Sequence, residues 1–140
     1  MDTSAEDKKL IAKAFQARES SYSPYSGYAV GAALLSEDGR IFTGCNIENA
    51  SFGATNCAER TAVFKAVSEG ALHFTKIAIV GGKRGENVSD YAFPCGICRQ
   101  VLREFTDPEQ FEIITAVTED QYQKKTLSQM LPESFGPEKL

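Results

Sequence analysis

The sequence predicts an α/β protein, a mixed five-stranded sheet with helices on both faces, formed by residues 1–140 as one domain. Three observations carry that expectation. Hydrophobic periodicity alternates between helical spacing and short strand-like runs in the order α-β-β-α-β-α-β-β, which favours a sheet covered by helices. Glu37-Asp38-Gly39 separates the first two strand-like runs, and an Asp-Gly step is a strong hairpin signal, so these strands pair antiparallel. Ile77-Ala78-Ile79-Val80 is apolar without interruption, the pattern of a strand buried on both faces. A chain of 140 residues, 42% hydrophobic and 24% charged, buries about two-thirds of its unfolded surface and needs no covalent staples.

From Asp2 or Ser4 to about Glu19, Leu10, Ile11, Ala14, Phe15 and Ala17 recur at helical spacing. Glu6 and Asp7 sit near its start, where the macrodipole favours acidic groups. Ser20 to Gly27 is a run of turn formers that ends this helix. Tyr28 to Ser36 and Arg40 to Asn46 are the hairpin strands, and the small residues Gly31, Ala32 and Ala33 imply close packing on the first, by a helix more readily than by a ligand. Asn46 to Gly53 is a polar loop. Asn56 is then the expected N-cap of a helix from Cys57 to about Ser68, with Gly70 as its C′ residue. Gly81-Gly82 closes the apolar third strand, and Lys83 to Phe93 is a polar connection. Pro94 opens a helix carrying Cys95, Cys98, Val101, Leu102 and Phe105, because a missing N–H is no loss in a first turn. Phe111 to Val117 reads as the fourth strand, Tyr122 to Lys125 as a short fifth, and Leu127 to Leu131 as a last helical turn.

A net charge of −4 argues against a nucleic-acid binder, which gathers Lys and Arg to replace phosphate counterions. Lys8-Lys9, Lys83-Arg84 and Lys124-Lys125 are short and scattered, and read as solvated faces. No apolar run approaches the ~20 residues of a membrane span, and the N-terminus lacks a signal peptide's charged-then-apolar order. A cytoplasmic protein with neither nucleic-acid nor membrane partners is expected. In that reducing setting, four cysteines favour metal or redox chemistry over two disulfides.

Three of the four cysteines fall in two runs, Asn56-Cys57-Ala58-Glu59-Arg60 and Pro94-Cys95-Gly96-Ile97-Cys98-Arg99-Gln100, each where a helical pattern begins. Both helices leave the sheet through loops, so their N-termini can face one another at one end of it. A helix start lowers a thiol's pKa, and the thiolate is the form that binds zinc. Three positions apart on a helix, Cys95 and Cys98 share a face and can both reach one ion at about 2.3 Å. Cys57 is the candidate third ligand. Three protein ligands leave a tetrahedral zinc open, the mark of a catalytic site. Glu59, in the same first turn as Cys57, is placed to carry protons between water and a substrate nitrogen, which fits hydrolytic deamination. Three thiolates outweigh the charge of Zn2+, and Arg60 is placed to offset the excess by donating hydrogen bonds to sulfur. Two other readings compete: a thioredoxin-like redox pair at Cys95 and Cys98, and a zinc ion that only joins two helices. Glu59 and the lack of an obvious fourth ligand count against the second. His73, the only histidine, lies in the loop after the helix and is left out of the site.

The two runs together match the zinc deaminase signature, in which a glutamate serves as acid and base. Further matching stretches are Pro24-Tyr25-Ser26, Val30-Gly31-Ala32-Ala33-Leu34, Gly44-Cys45-Asn46-Ile47-Glu48-Asn49-Ala50 and Leu131-Pro132-Glu133-Ser134-Phe135-Gly136-Pro137. Over nearly its whole length the chain resembles the small, zinc-dependent, homotetrameric class of cytidine deaminases. The resemblance implies a hydrolase acting on cyclic amidines, converting cytidine and 2'-deoxycytidine to the uridines with release of ammonia in pyrimidine salvage. It implies Zn2+ held by Cys57, Cys95 and Cys98, and acid/base catalysis by Glu59. It further implies that Asn46 and Glu48 bind the ribose 3'-hydroxyl, that Tyr28 packs on the base where Phe is usual, and that Ala58 contacts the substrate. A homotetramer with shared active sites follows from the same source, Phe135 covering the base bound by a neighbour. Phe52 stands where Tyr is frequent, and Cys45 is a small buried hydrophobe outside the zinc set. A deaminase of a nucleoside antibiotic such as blasticidin S shares the zinc runs, but Asn46-Ile47-Glu48-Asn49 favours the ordinary nucleoside.

Overall fold

The computed structural model describes residues 3–140. The chain runs α1 (Ser4–Arg18), β1 (Tyr28–Ser36), β2 (Ile41–Cys45), α2 (Ala58–Ser68), β3 (Phe74–Lys83), α3 (Gly96–Glu104), β4 (Glu112–Ala116), β5 (Tyr122–Thr126) and α4 (Leu127–Met130). Asp2, the earlier of the two starts expected for the first helix, lies outside the described residues. The strands form one sheet in the order β2-β1-β3-β4-β5. β1 pairs antiparallel with β2 and β3, β4 runs parallel to β3, and β5 is antiparallel to β4, so the expected mixed five-stranded sheet is present. The parallel pair needs a crossover, and α3 lies within it. At the hairpin Gly39 takes φ +94°, a conformation that glycine adopts without strain, and the Ser36 N–H donates to the Arg40 carbonyl at 2.8 Å.

Neighbouring residues of the inner strands feed opposite faces, which is why they are apolar throughout. α1 packs Leu10, Ile11 and Ala14 against Ala33, Ala78, Val80 and Ile114. On the other face α2, α3 and α4 pack Ala62, Val63, Leu102 and Leu127 against Ala32, Ile77, Ile79 and Ile113. Each face lets a helix approach through one glycine. A Cβ on Gly31 would stand 2.0 Å from the Ala14 carbonyl oxygen, so α1 accounts for Gly31 and Ala33, while Ala32 faces α2 on the other side. A Cβ on Gly44 would stand 2.5 Å from the Ala58 oxygen and the Ala62 nitrogen, so α2 sits directly on β2 and its first turn emerges at the sheet's end. No described helix is long and apolar enough to cross a membrane.

Among the boundaries that differ from expectation, two are moved by tertiary pairing and one by a local cap. Asn56 is not the N-cap of α2, because its N–H and C=O exchange hydrogen bonds with Ile47, both at 2.9 Å, and hold it extended; Cys57 takes the cap position. Gly81 and Gly82 continue β3 rather than closing it, because they pair with Val30 and Ala29 of β1. Pro94 lies outside the helix it was expected to open, and Cys95 caps that helix instead. The end of α2 is as expected: Gly70 has φ +92°, its N–H donates to Val67, and the Ala71 N–H donates to Ala66, a Schellman closure.

Beneath α1, Asp7 is 1% exposed and accepts from Lys76 Nζ and Lys124 Nζ at 2.9 Å each, while Glu6 and Glu112 approach Lys76 at 2.8 and 3.4 Å. Burial pushes the Asp7 carboxyl up, but the two ammonium groups outweigh it and hold the group below its ordinary value. A depressed folded pKa contributes stability above the unfolded value, about 3.9, and loses it as pH falls through the folded value. Asp7→Asn is therefore expected to destabilise the protein by about 3 kcal/mol at neutral pH, the scale of breaking a buried pair. That difference shrinks as pH falls below the unfolded carboxyl's value of about 3.9. Thermal melts of both proteins across pH check it; a gap that stays constant into acid would rule the ion pairs out as its source.

Candidate active site

α2 and α3 begin side by side. Cys57 is the N-cap of α2 and Cys95 the N-cap of α3, with Cys98 one turn further on. Cys95 Sγ accepts from the Cys98 N–H at 3.4 Å, so the cap bond itself draws the pair together, and their sulfurs lie 3.5 Å apart. Cys57 Sγ is 3.8 Å from Cys95 Sγ, and all three sulfurs lie within 4.8 Å of one another. Sulfurs bound tetrahedrally at about 2.3 Å to one zinc ion stand about 3.8 Å apart, so the donor set fits zinc in both chemistry and spacing. All four cysteines are free thiols; Cys98 is buried, Cys57 half-buried and Cys95 exposed.

Arg60 donates from Nη2 to Cys57 Sγ at 3.3 Å, and its Nε is buried without a partner. The hydrogen bond to Cys98, then those to Arg60 and Cys95, pull the Cys57 thiol down to about 5 against the effect of burial. Cys98 moves the other way, pushed up by sharing its proton with Cys57 and by burial. Glu59 is 4% exposed, and burial pushes its carboxyl up to about 7. These groups therefore sit in a region that disfavours uncompensated charge.

A cavity of about 410 Å³, within the size range of small-molecule sites, is walled by Cys57, Ala58, Glu59 and Cys95 together with Tyr28, Asn46, Thr55, Asn56, Tyr91 and Phe93. The structure thus gathers Tyr28, Asn46, Ala58, Glu59, Cys57 and Cys95 around one space. Burial raises the Tyr28 hydroxyl, helped by nearby Asp90, and its ring lies 3.0 Å from where a Gly81 Cβ would stand. Asn46 is 9% exposed: Oδ1 accepts from Ser21 Oγ at 2.5 Å and the Val30 N–H at 2.9 Å, and Nδ2 donates to the Tyr28 carbonyl at 2.8 Å.

Glu48 and Phe135 lie outside this wall. Glu48 accepts from the Tyr25 and Ser26 N–H groups at 2.9 and 3.1 Å and from the Ser26 hydroxyl. It lines an adjoining recess of about 350 Å³ with Tyr25, Phe52 and Thr55, and Thr55 borders both spaces. Phe135 is 57% exposed, and Phe52 is exposed with its ring edge-on to Tyr25 at 6.1 Å. Cys45 is half-buried, and burial raises its thiol. His73 borders a larger recess of about 630 Å³ with Glu37 and Glu104, none of which lines the thiol cavity. Thr55, Asn56, Tyr91 and Phe93 are the polar and aromatic wall residues that sequence reasoning missed. Asn56 had a signal, its place beside Cys57; Tyr91 and Phe93 had only the aromatic end of a polar connection.

Comparison with known proteins bears on this arrangement. A family model described as the cytidine and deoxycytidylate deaminase zinc-binding region matches residues 4–115. The cytidine deaminase of Sporosarcina psychrophila is 47% identical over 133 residues, covering 95% of this chain and 93% of that protein. The cytidine deaminase of Halalkalibacterium halodurans is 46% identical over 129 residues, covering 92% and 93%. The crystal structure of cytidine deaminase from Burkholderia pseudomallei superimposes with a TM-score of 0.80 at 43% identity, over 91% of this chain and 97% of that one.

Proposed function

The chain belongs to the cytidine deaminase family of hydrolases, and from that premise we propose that it converts cytidine and 2'-deoxycytidine to the uridines with release of ammonia. The observation that carries this reading is Glu59, a buried carboxyl with its pKa raised to about 7, in the cavity wall beside three thiols spaced for one metal ion. The setting we propose is pyrimidine salvage in the cytoplasm, by a homotetramer of single-domain chains.

Cys57, Cys95 and Cys98 would hold zinc. Bound there, zinc supplies a Lewis acid that makes water a usable nucleophile near neutral pH. Arg60 offsets the surplus thiolate charge through its bond to Cys57 Sγ. Glu59 takes a proton from the attacking water and delivers it to a cytosine nitrogen, and a group titrating near 7 can do both. Ala58 is the first residue of α2, so no helix carbonyl accepts its N–H, which is free to meet the base. Tyr28 packs on one face of the ring, and Phe135 from a neighbouring subunit covers it.

Asn46 and Glu48 recognise the sugar. With both Oδ1 lone pairs filled and one Nδ2 hydrogen on Tyr28, Asn46 keeps a single N–H to offer a ligand oxygen. Glu48, as a carboxylate, only accepts. A hydroxyl satisfies both. Glu48→Ala is expected to raise KM for cytidine by about tenfold or more and to change KM for 3'-deoxycytidine little, because polar groups left unpaired discriminate strongly. Steady-state kinetics on the two nucleosides decide it, equal losses counting against the assignment.

The overall reading is tested by spectrophotometric deamination assays on cytidine, 2'-deoxycytidine and blasticidin S with the zinc-loaded protein. Turnover of the two nucleosides with ammonia release supports it. Turnover of blasticidin S alone would favour the antibiotic deaminase, and zinc retention without any ammonia would favour a structural metal.

A further inference from the structure

The C-terminal segment that carries Phe135 is fastened to α3, the helix that carries Cys98. Arg99 Nη1 donates to the Met130 carbonyl at 2.8 Å, and Gln100 Nε2 donates to the Phe135 carbonyl at 2.9 Å. Arg103 Nε donates to Ser134 Oγ at 2.7 Å, and its Nη2 pairs with Glu138. Arg103 is 9% exposed, whereas arginine is almost never buried unless paired. Gly136 lies against it so closely that a Cβ there would stand 2.4 Å from the guanidinium Cζ and Nη1. Between these ties, Phe135 keeps its ring more than half exposed. A buried charge is thus committed to gripping the side chains of Ser134 and Glu138, on either side of an exposed aromatic ring.

We propose that Arg103 is a positioning residue for the reaction: seated under Gly136 and tied to Ser134 and Glu138, it fixes the direction in which Phe135 is presented to the nucleoside. This rests on the reading that Phe135 covers the base. A terminal segment without such ties must be ordered at every encounter with substrate, and the entropy lost is subtracted from affinity. The ties meet that cost during folding. Gly136 belongs to the device because of the space it leaves. Its φ of −145° is open to any residue, and the three atoms an alanine Cβ would meet first all belong to the guanidinium, a flexible tip that can move away and release the tail without unfolding the core.

The test compares zinc-loaded wild-type protein with Phe135→Ala, Arg103→Gln, Gly136→Ala and the Arg103→Gln/Phe135→Ala double variant, measuring kcat and KM for cytidine, zinc content and thermal midpoint. The expected result is a KM raised about tenfold in each single variant, the scale of losing a well-packed aromatic contact. Zinc content should hold, and the double variant should be no worse than Phe135→Ala, because both changes remove one interaction. Wild-type KM in Arg103→Gln and Gly136→Ala beside an impaired Phe135→Ala overturns the latch alone. Losses that multiply in the double variant also overturn it, since Arg103 then acts elsewhere. Wild-type KM in Phe135→Ala overturns the base-covering reading and the latch with it. If Arg103→Gln does not fold, Gly136→Ala, which deletes no functional group, decides the matter by the same readouts.

Discussion

Replacing Glu59 with glutamine is expected to cut turnover of cytidine by ~10²- to 10⁴-fold, the usual contribution of a positioned acid and base, while the protein folds and keeps its metal. Glutamine has the same shape and can still hydrogen-bond, but it cannot take a proton from water and pass it on. The substitution is mild for the fold, because Glu59 is 4% exposed and burial already disfavours its charge. The loss should therefore appear in kcat with little change in thermal midpoint or zinc content. In the proposed mechanism one side chain serves successive proton transfers, so the effect falls at the upper end if several of them limit the rate. Turnover within a factor of a few of wild type, in protein confirmed to hold zinc, would remove Glu59 from the chemistry.

Cys57→Ala is expected to abolish activity by a different route. Of the three sulfurs, Cys57 alone comes from α2, so its loss leaves only the Cys95 and Cys98 pair on α3. Two thiols on one helix turn cannot close around an ion as three do, and the structural zinc sites of small domains show how much free energy a full ligand set supplies, about 10–16 kcal/mol. The change also strips Arg60 of the sulfur its Nη2 donates to, leaving a guanidinium whose Nε is already buried without a partner. Zinc content after dialysis against a mild chelator should fall well below one ion per chain, with turnover falling alongside. Cys45→Ala is the control, because Cys45 stands on β2 outside the thiol cluster and should retain both. Full zinc and full activity in Cys57→Ala would show that the third ligand lies elsewhere.

Much of this was legible from residues close together in the chain. The hairpin followed from Asp38-Gly39, the end of α2 from Gly70, and close helix packing on β1 from Gly31-Ala32-Ala33, since each signal is a local conformational or steric demand. The two cysteine runs announced a shared centre because thiols at helix starts have few other uses in a chain without disulfides. Where sequence reasoning erred at Asn56 and at Gly81-Gly82, a distant segment decided. Asn56 reads as a cap, yet Ile47 claims its backbone; Gly81-Gly82 reads as a stop, yet Ala29 and Val30 pair with it.

The amino-acid sequence by itself determined the class of fold and the chemistry available at its centre, because periodicity, turn residues and ligand types are properties of short stretches. Tertiary structure alone decided the strand order, the walls that Thr55, Tyr91 and Phe93 add to the cavity, the separation of Glu48 from Asn46, and the seating of the tail on Arg103. Each of these depends on which backbone groups far apart in the chain satisfy one another once the core has closed, and no local pattern encodes that choice.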